Sequence, residues 1–206
     1  MKFRGIEEEA KECKIILEEE LKENIVILIK KEQIKWYNPT FMIKKANGQW
    51  RKILDVIALN KQIADFRFKM HNSNEMKQTI RLRDWGTSRD ISSAFYHLIV
   101  RTESQPDLSF EFQNNHYTYR AISFGTKHSP IFFATAMEPI MHQIRMKTEI
   151  KIMNYVGDIL LLLQNKQNLM KLTKKIIDTL KYFGFTMNTE KSKTEPNRTV
   201  IFLGWE

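Results

Sequence analysis

Residues Ile150–Leu163 read IKIMNYVGDILLLL. Two apolar runs, Ile150–Tyr155 and Ile159–Leu163, flank Val156-Gly157-Asp158. Short β-rich runs on either side of a small polar break predict two strands joined by a tight turn. The turn carries a lone acid, Asp158, in an otherwise apolar hairpin. Upstream, Trp85–Ile91 (WGTSRDI) reads as a strand with a second acid, Asp90, at its end. Asn168–Phe183, downstream, has Leu169, Leu172, Ile176 and Leu180 on one face and lysines on the other, the pattern of a helix packed on a sheet, with a left-handed cap expected at Gly184.

Further outward the same alternation repeats. Leu108–Phe112 and His116–Arg120 have period two around Asn114-Asn115, and Thr40–Ile43 and Trp50–Val56 flank Asn47-Gly48, so two more hairpins are expected. Arg51 projects near the second of these, which makes that hairpin basic. Ser129-Pro130 is a helix start, and the apolar Ile131–Ile144 run that follows predicts a buried helix, kinked or interrupted at Pro139. Glu7–Glu23 shows the stripe of an amphipathic helix (Ala10, Cys13, Ile16, Leu17, Leu21), which reads as a docking or connecting element. Phe185, Met187 and Val200–Trp205 are expected to supply the last strands.

Composition narrows the function classes. The 206 residues carry 33 Lys+Arg against 24 Asp+Glu, with 42% hydrophobic and 11% aromatic residues, enough apolar surface for a packed core. The first 35 residues hold 8 basic and 9 acidic side chains, so the basic excess belongs to the main body. Such an excess suits a polyanion, because each neutralised phosphate releases counterions, and it suits plain solubility equally well. The longest aliphatic run, Ile159–Leu163, is far short of the roughly 20 residues of a membrane span, and no charged-then-apolar leader opens the chain. A single cysteine, Cys13, allows no intrachain disulfide and no cysteine-rich zinc site. The five histidines, His71, His97, His116, His128 and His142, lack ligand spacing. The expectation is an intracellular protein, cytoplasmic or nuclear, with no membrane partner and no secretion. Spacing alone leaves Asp90 and Asp158 two readings: convergence on a hard divalent ion, or a turn cap and a Gly-Asp hairpin.

Taken in order, the motifs resemble the fingers-and-palm region of retroelement reverse transcriptases. Asn38–Phe41 with Lys44-Lys45, then Trp50–Asp55 and Leu59-Asn60-Lys61, is similar to the fingers signature. Asp90-Ile91-Ser92-Ser93-Ala94-Phe95 is similar to the first palm motif, and Ser123-Phe124-Gly125 with Ser129-Pro130 to the "PFG…SP" motif, with Ser123 in place of proline. Tyr155-Val156-Gly157-Asp158 stands where the family has "Y-x-D-D". Gly184-Phe185…Asn188…Lys191-Ser192 resembles the next motif, and Phe202-Leu203-Gly204-Trp205 the primer grip. Asp84–Leu98 and the "FLGW" ending most resemble DIRS-type (tyrosine-recombinase) retrotransposons.

The resemblance implies an α+β polymerase right-hand fold, with a ferredoxin-like antiparallel palm sheet packed on helices. It implies an N-terminal helical segment over 1–35, fingers over 36–84, and palm to primer grip over 85–206 with fingers elements interleaved around 101–130, and the expectation is that thumb and RNase H are absent from these residues. The implied activity is template-directed DNA synthesis by two-metal nucleotidyl transfer, using Mg²⁺ or Mn²⁺, deoxynucleoside triphosphates and an RNA or DNA template with its primer. Asp90 then binds the metals, with Asp158 an auxiliary acid. Arg51 and Lys45 meet the triphosphate, Phe95 crowds the sugar 2′ position, Phe124 and Gly125 line the nucleotide pocket, and Lys191 protonates the leaving pyrophosphate. Packing, turn or surface roles are the alternatives for Phe95, Phe124 and Lys191.

Gly157 departs from the family, because it replaces the first aspartate of the paired box and offers no ligand. Since adjacent strand residues face opposite sides, Asp158 is not expected to substitute for it. The expected consequence is impaired catalysis. A non-catalytic primer–template binding module is the main alternative, and an assembly protein using the Glu7–Glu23 helix is a third.

Overall fold

This computed structural model describes residue 3 and residues 5–66, 78, 80–193 and 195–203. In chain order the elements are α1 (Glu7–Lys22), β1 (Val26–Leu28), β2 (Thr40–Lys44), β3 (Trp50–Leu54), α2 (Ile57–Asn60), β4 (Trp85–Asp90), β5 (Ser109–Phe112), β6 (Asn115–Tyr119), α3 (Ser129–Lys147), β7 (Lys151–Tyr155), β8 (Asp158–Leu163) and α4 (Lys166–Tyr182). They form two compact units, one from Met1–Phe66 and Phe95–Ser129, the other from Arg67–Ala94 and Pro130–Glu206.

In the first unit β1, β6 and β5 form an antiparallel sheet and β2 pairs with β3 in a separate hairpin. The expected Asn47-Gly48 turn joins β2 to β3, and Ile43 lies opposite Arg51. The β5–β6 turn falls one residue earlier than its sequence suggests. Phe112 pairs with Asn115, leaving Gln113 and Asn114 as a two-residue loop with φ of 50° and 61°. Positive φ at both central residues matches the right-handed twist of a hairpin, so the ladder overrides glutamine's poor fit to that region. The core of this unit gathers Cys13 and Leu17 of α1 with Val26, Leu54, Phe110, Phe112, Tyr119 and Ala121. The α1 stripe therefore packs into the unit's own core. Burial pushes the Cys13 thiol up to about 11, which leaves it unreactive.

In the second unit the sheet order is β4-β8-β7, all antiparallel. Along the free edge of β4 runs the segment after α4: Met187 bridges Ile91 and Asn197 bridges Gly86, both antiparallel. With α3 between β4 and β7, and α4 between β8 and that edge segment, the unit has the β-α-β-β-α-β order of a ferredoxin-like fold. No regular strand forms over residues 200–203, although Phe202 is buried against Met153, Leu160 and Leu162. Helix α4 turns Leu169, Thr173, Ile176 and Leu180 inward, and Asn165 caps it by accepting from the Asn168 N–H at 2.9 Å. Helix α3 runs through Pro139 without interruption. The proline removes one backbone hydrogen bond, but Phe133 and Met137 before it and Met141 and Ile144 after it are buried, so packing holds both halves.

Leu161 of β8 is fully buried. Leu161→Ala is expected to lower unfolding stability by about 2–5 kcal/mol, read from urea unfolding with an unchanged slope.

Candidate active site

The β4–β8 register decides where the acids go. Asp90, the last residue of β4, lies directly opposite Asp158, the first of β8. The β7–β8 turn contains only Val156 and Gly157, since Tyr155 pairs with Asp158. Asp158 is thus a ladder residue rather than a turn residue. Residues directly opposite in an antiparallel pair project on the same face with Cβ atoms roughly 4.5–5.5 Å apart. Of the two readings that spacing alone left for these acids, the ladder places them together across one strand pair.

Both carboxyls are half-buried, and burial is the main reason each titrates above the ordinary aspartate range. Asp158 is pushed further up by the charge of Asp90, while Lys191 pulls both down and an Asn188 hydrogen bond helps hold Asp90 ionised. Lys191 Nζ stands 3.9 Å from Asp90 Oδ2. Its loop is pinned to the site: Asn188 Oδ1 accepts from the N–H groups of Glu190 and Lys191 at 3.1 and 3.2 Å, the Asn188 N–H donates to the Asp90 carbonyl at 2.8 Å, and the Asp90 N–H donates to Ser192 Oγ at 3.2 Å. Among the described residues no three His, Cys, Asp or Glu side chains cluster to hold a metal. The donor set is two carboxylates, which suits Mg²⁺, an ion commonly held by one or two carboxylates plus substrate phosphates.

Gly157 is buried in the turn. A Cβ there would lie 3.1 Å from Ala94 Cβ and 3.2 Å from the Ile91 carbonyl, tighter than ordinary contact. The Ile91 N–H donates to the Gly157 carbonyl at 2.8 Å, so the turn sits close on the 91–94 segment. Its other residue, Val156, has φ of 52°, a region that costs a β-branched side chain about 1–3 kcal/mol.

The first unit gathers a second group of the sequence-predicted residues. The Arg51 guanidinium lies 5.1 Å from the centroid of the Phe124 ring, and Phe95 meets that ring edge-on at 5.1 Å. Arg51 is exposed, whereas Phe95 is buried. Gly125 takes φ of 97°, which a side chain would strain, and an added Cβ would stand 3.3 Å from the Leu54 carbonyl. Ser123, in the place of proline, is buried, with its hydroxyl 3.1 Å from Thr126 Oγ1 and its carbonyl accepting from Ser129 Oγ at 3.0 Å. Lys45 opens the hairpin turn, its N–H donating to the Gln49 carbonyl at 2.8 Å. In the second unit, Phe202 is buried and Leu203 half-exposed; Gly204 and Trp205 lie outside the described residues, as does His71.

Residues 43–206 match the family described as reverse transcriptase (RNA-dependent DNA polymerase). The chain belongs to the reverse transcriptase family. Among relatives, the Gag-Pol polyprotein of Walleye dermal sarcoma virus is 28% identical over 168 residues, covering 81% of this chain and 10% of that protein. The Gag-Pro-Pol polyprotein of Human T-cell leukemia virus 3 (strain 2026ND) is 30% identical over 176 residues, covering 81% of this chain and 12% of that protein. The chain thus spans about a tenth of these polyproteins. A structure of the foamy viral protease-reverse transcriptase in complex with dsDNA superposes with a TM-score of 0.87 at 20% identity, covering 99% of this chain and 41% of the other. These similarities give the reverse transcriptase its right-hand polymerase fold.

Two positioning residues of this reverse transcriptase escaped the sequence reading as site residues. Asn60 donates from Nδ2 to the Gly125 carbonyl at 2.8 Å and accepts at Oδ1 from the Lys127 N–H at 2.9 Å, clipping the 125–127 loop. Asn188 holds the loop of Lys191 through Oδ1, which accepts from the Glu190 and Lys191 N–H groups. Each lies inside a recognised motif, the "LN" pair and the Asn188…Lys191 spacing, and a side-chain amide that fastens loop backbone is the signal. A raised aspartate binds its proton more tightly in the folded state, so stability falls as pH rises from about 4 through the folded-state values. Asp158→Asn is therefore expected to stabilise the protein at pH 7 by a few tenths to about 1 kcal/mol. The gain should vanish below about pH 4, where unfolded aspartates are protonated too; thermal unfolding at both pH values measures it.

Proposed function

We propose that this reverse transcriptase domain is the fingers-and-palm portion of an RNA-directed DNA polymerase whose nucleotidyl transfer is weakened by Gly157. The observation that carries the reading is Asp90 opposite Asp158 beside a glycine. Asp90 and Asp158 would hold Mg²⁺, or Mn²⁺, which when bound neutralises triphosphate charge and lowers the barrier to attack by the primer hydroxyl. The chain's own residues do the rest. Arg51, whose guanidinium lies over the Phe124 ring, offers a planar fork of donors to phosphate. Phe95 excludes a ribose 2′-hydroxyl, Gly125 lets the backbone near the base, and Lys191, beside Asp90, supplies a proton to the departing pyrophosphate. Lys45 adds a second cation to the hairpin of Arg51, and Phe202–Trp205 serve as the primer grip. Loss of a principal carboxylate is worth several kcal/mol of barrier, several-thousandfold in rate. The fingers are assigned to 36–84 with elements around 101–130, and the palm to 85–206. A DIRS-type origin rests on Asp84–Leu98 and the "FLGW" ending.

The second reading keeps primer–template binding without chemistry. The glycine favours it, together with the basic excess of residues 36–206. No helix among the described residues is long and apolar enough to cross a membrane.

Primer extension on an RNA template with Mg²⁺ separates the two. The unaltered chain is expected to be nearly silent, Gly157→Asp to gain extension, and Gly157→Asp with Asp90→Ala to lose it. Salt-sensitive duplex binding with no extension from any variant selects the second reading; extension by the unaltered chain shows that Asp90 and Asp158 suffice. In a variant that extends, Phe95→Val is expected to admit ribonucleotides, and unchanged sugar selectivity removes Phe95 from its role.

A further inference from the structure

The first unit encloses an ion pair that none of these roles uses. Glu20 of α1 and Lys52 of β3 are in direct contact, their side chains 5% and 0% exposed. The Lys52 ammonium lies 4.4 Å from the centroid of the Phe110 ring and 5.2 Å from that of Tyr119. The hydroxyls of Tyr96 and Tyr119 both donate to Glu20 Oε1, at 3.1 and 3.3 Å. Burial pulls the Lys52 ammonium below its ordinary range against the opposing effect of Glu20, and lifts both phenols. Replacing such a pair by apolar residues is often neutral or stabilising, so stability alone gives little reason for it.

Its neighbours give one. Lys52 follows Arg51 on β3, and alternate strand residues face opposite sides. The inward Lys52 therefore anchors the strand that presents Arg51 outward. Tyr96 follows Phe95, and its ring lies 5.7 Å from that of Phe124, the ring that also meets Arg51 and Phe95. One carboxylate on α1 thus holds the residue next to Arg51 and the residue next to Phe95. We propose that Glu20 is a positioning residue which, through Lys52 and Tyr96, sets the Arg51–Phe124–Phe95 group for deoxynucleotide selection. This inference rests on the polymerase reading above.

The test uses the full chain with a primer–template and Mg²⁺, titrated by calorimetry with a deoxynucleoside triphosphate and with its ribonucleotide counterpart. Glu20→Leu with Lys52→Leu removes both charges together, so its melting temperature should match or exceed that of the unaltered chain. Deoxynucleotide affinity should nonetheless fall roughly tenfold or more, with a narrowed preference over the ribonucleotide, as misplacement by about 1 Å costs up to a hundredfold. Tyr96→Phe keeps the ion pair and the ring and should narrow the preference without loss of melting temperature. A stable double variant with unchanged affinity and preference overturns the inference. If the double variant does not fold, Tyr96→Phe decides it, an unchanged preference again overturning it. An unaltered chain that binds neither triphosphate defeats the polymerase reading itself, and the positioning role with it.

Discussion

Two carboxylates of like charge face each other across the β4–β8 ladder, and the local structure is arranged around that opposition. Like charges directly opposite cost about 0.2–1 kcal/mol. The same register buries Ile159, Leu160, Leu161 and Leu162, each worth about 1.5–3 kcal/mol of transfer from water. A slip of one residue would separate the acids but turn every β8 side chain to the other face. In the observed register the aliphatic ladder carries the acids into opposition. Lys191, Asn188 and Ser192 then reach the site because their segment runs along the other edge of β4.

Much of this was legible in the chain. Apolar runs, turn residues and the Ser-Pro helix start gave the hairpins and helices, because each is a local preference repeated over several residues. The placement of Asp158 was not, since it depends on whether the turn holds two residues or three. Tyr155 pairing with Asp158 is a property of the closed ladder, where Val156 accepts a strained φ of 52°. Pro139 fails to interrupt its helix for a related reason: its local cost is real, but buried residues on both sides hold the helix together.

The Glu20–Lys52 pair was hidden more thoroughly. Glu20 ends the run Glu18-Glu19-Glu20 and Lys52 sits in a basic hairpin, so both read as solvated charges. Only tertiary packing of α1 against β3 shows that one acid of that run turns inward. Periodicity offered a weak hint, for Cys13, Leu17 and Glu20 are spaced four and three apart and share the buried face of α1.

Gly157 separates fold from chemistry. The turn touches the 91–94 segment so closely that a Cβ is crowded, yet the Ile91 hydrogen bond to the Gly157 carbonyl uses backbone alone. The hydrogen bond of the turn therefore needs no side chain at position 157, while the space around it favours none. A carboxylate at 157 would add a third negative charge beside two aspartates that already resist ionisation, and its absence relieves that repulsion. Glycine thus suits the metal-free fold better than aspartate does, so stability cannot be what would keep an acid at this position; only metal binding in the service of catalysis could.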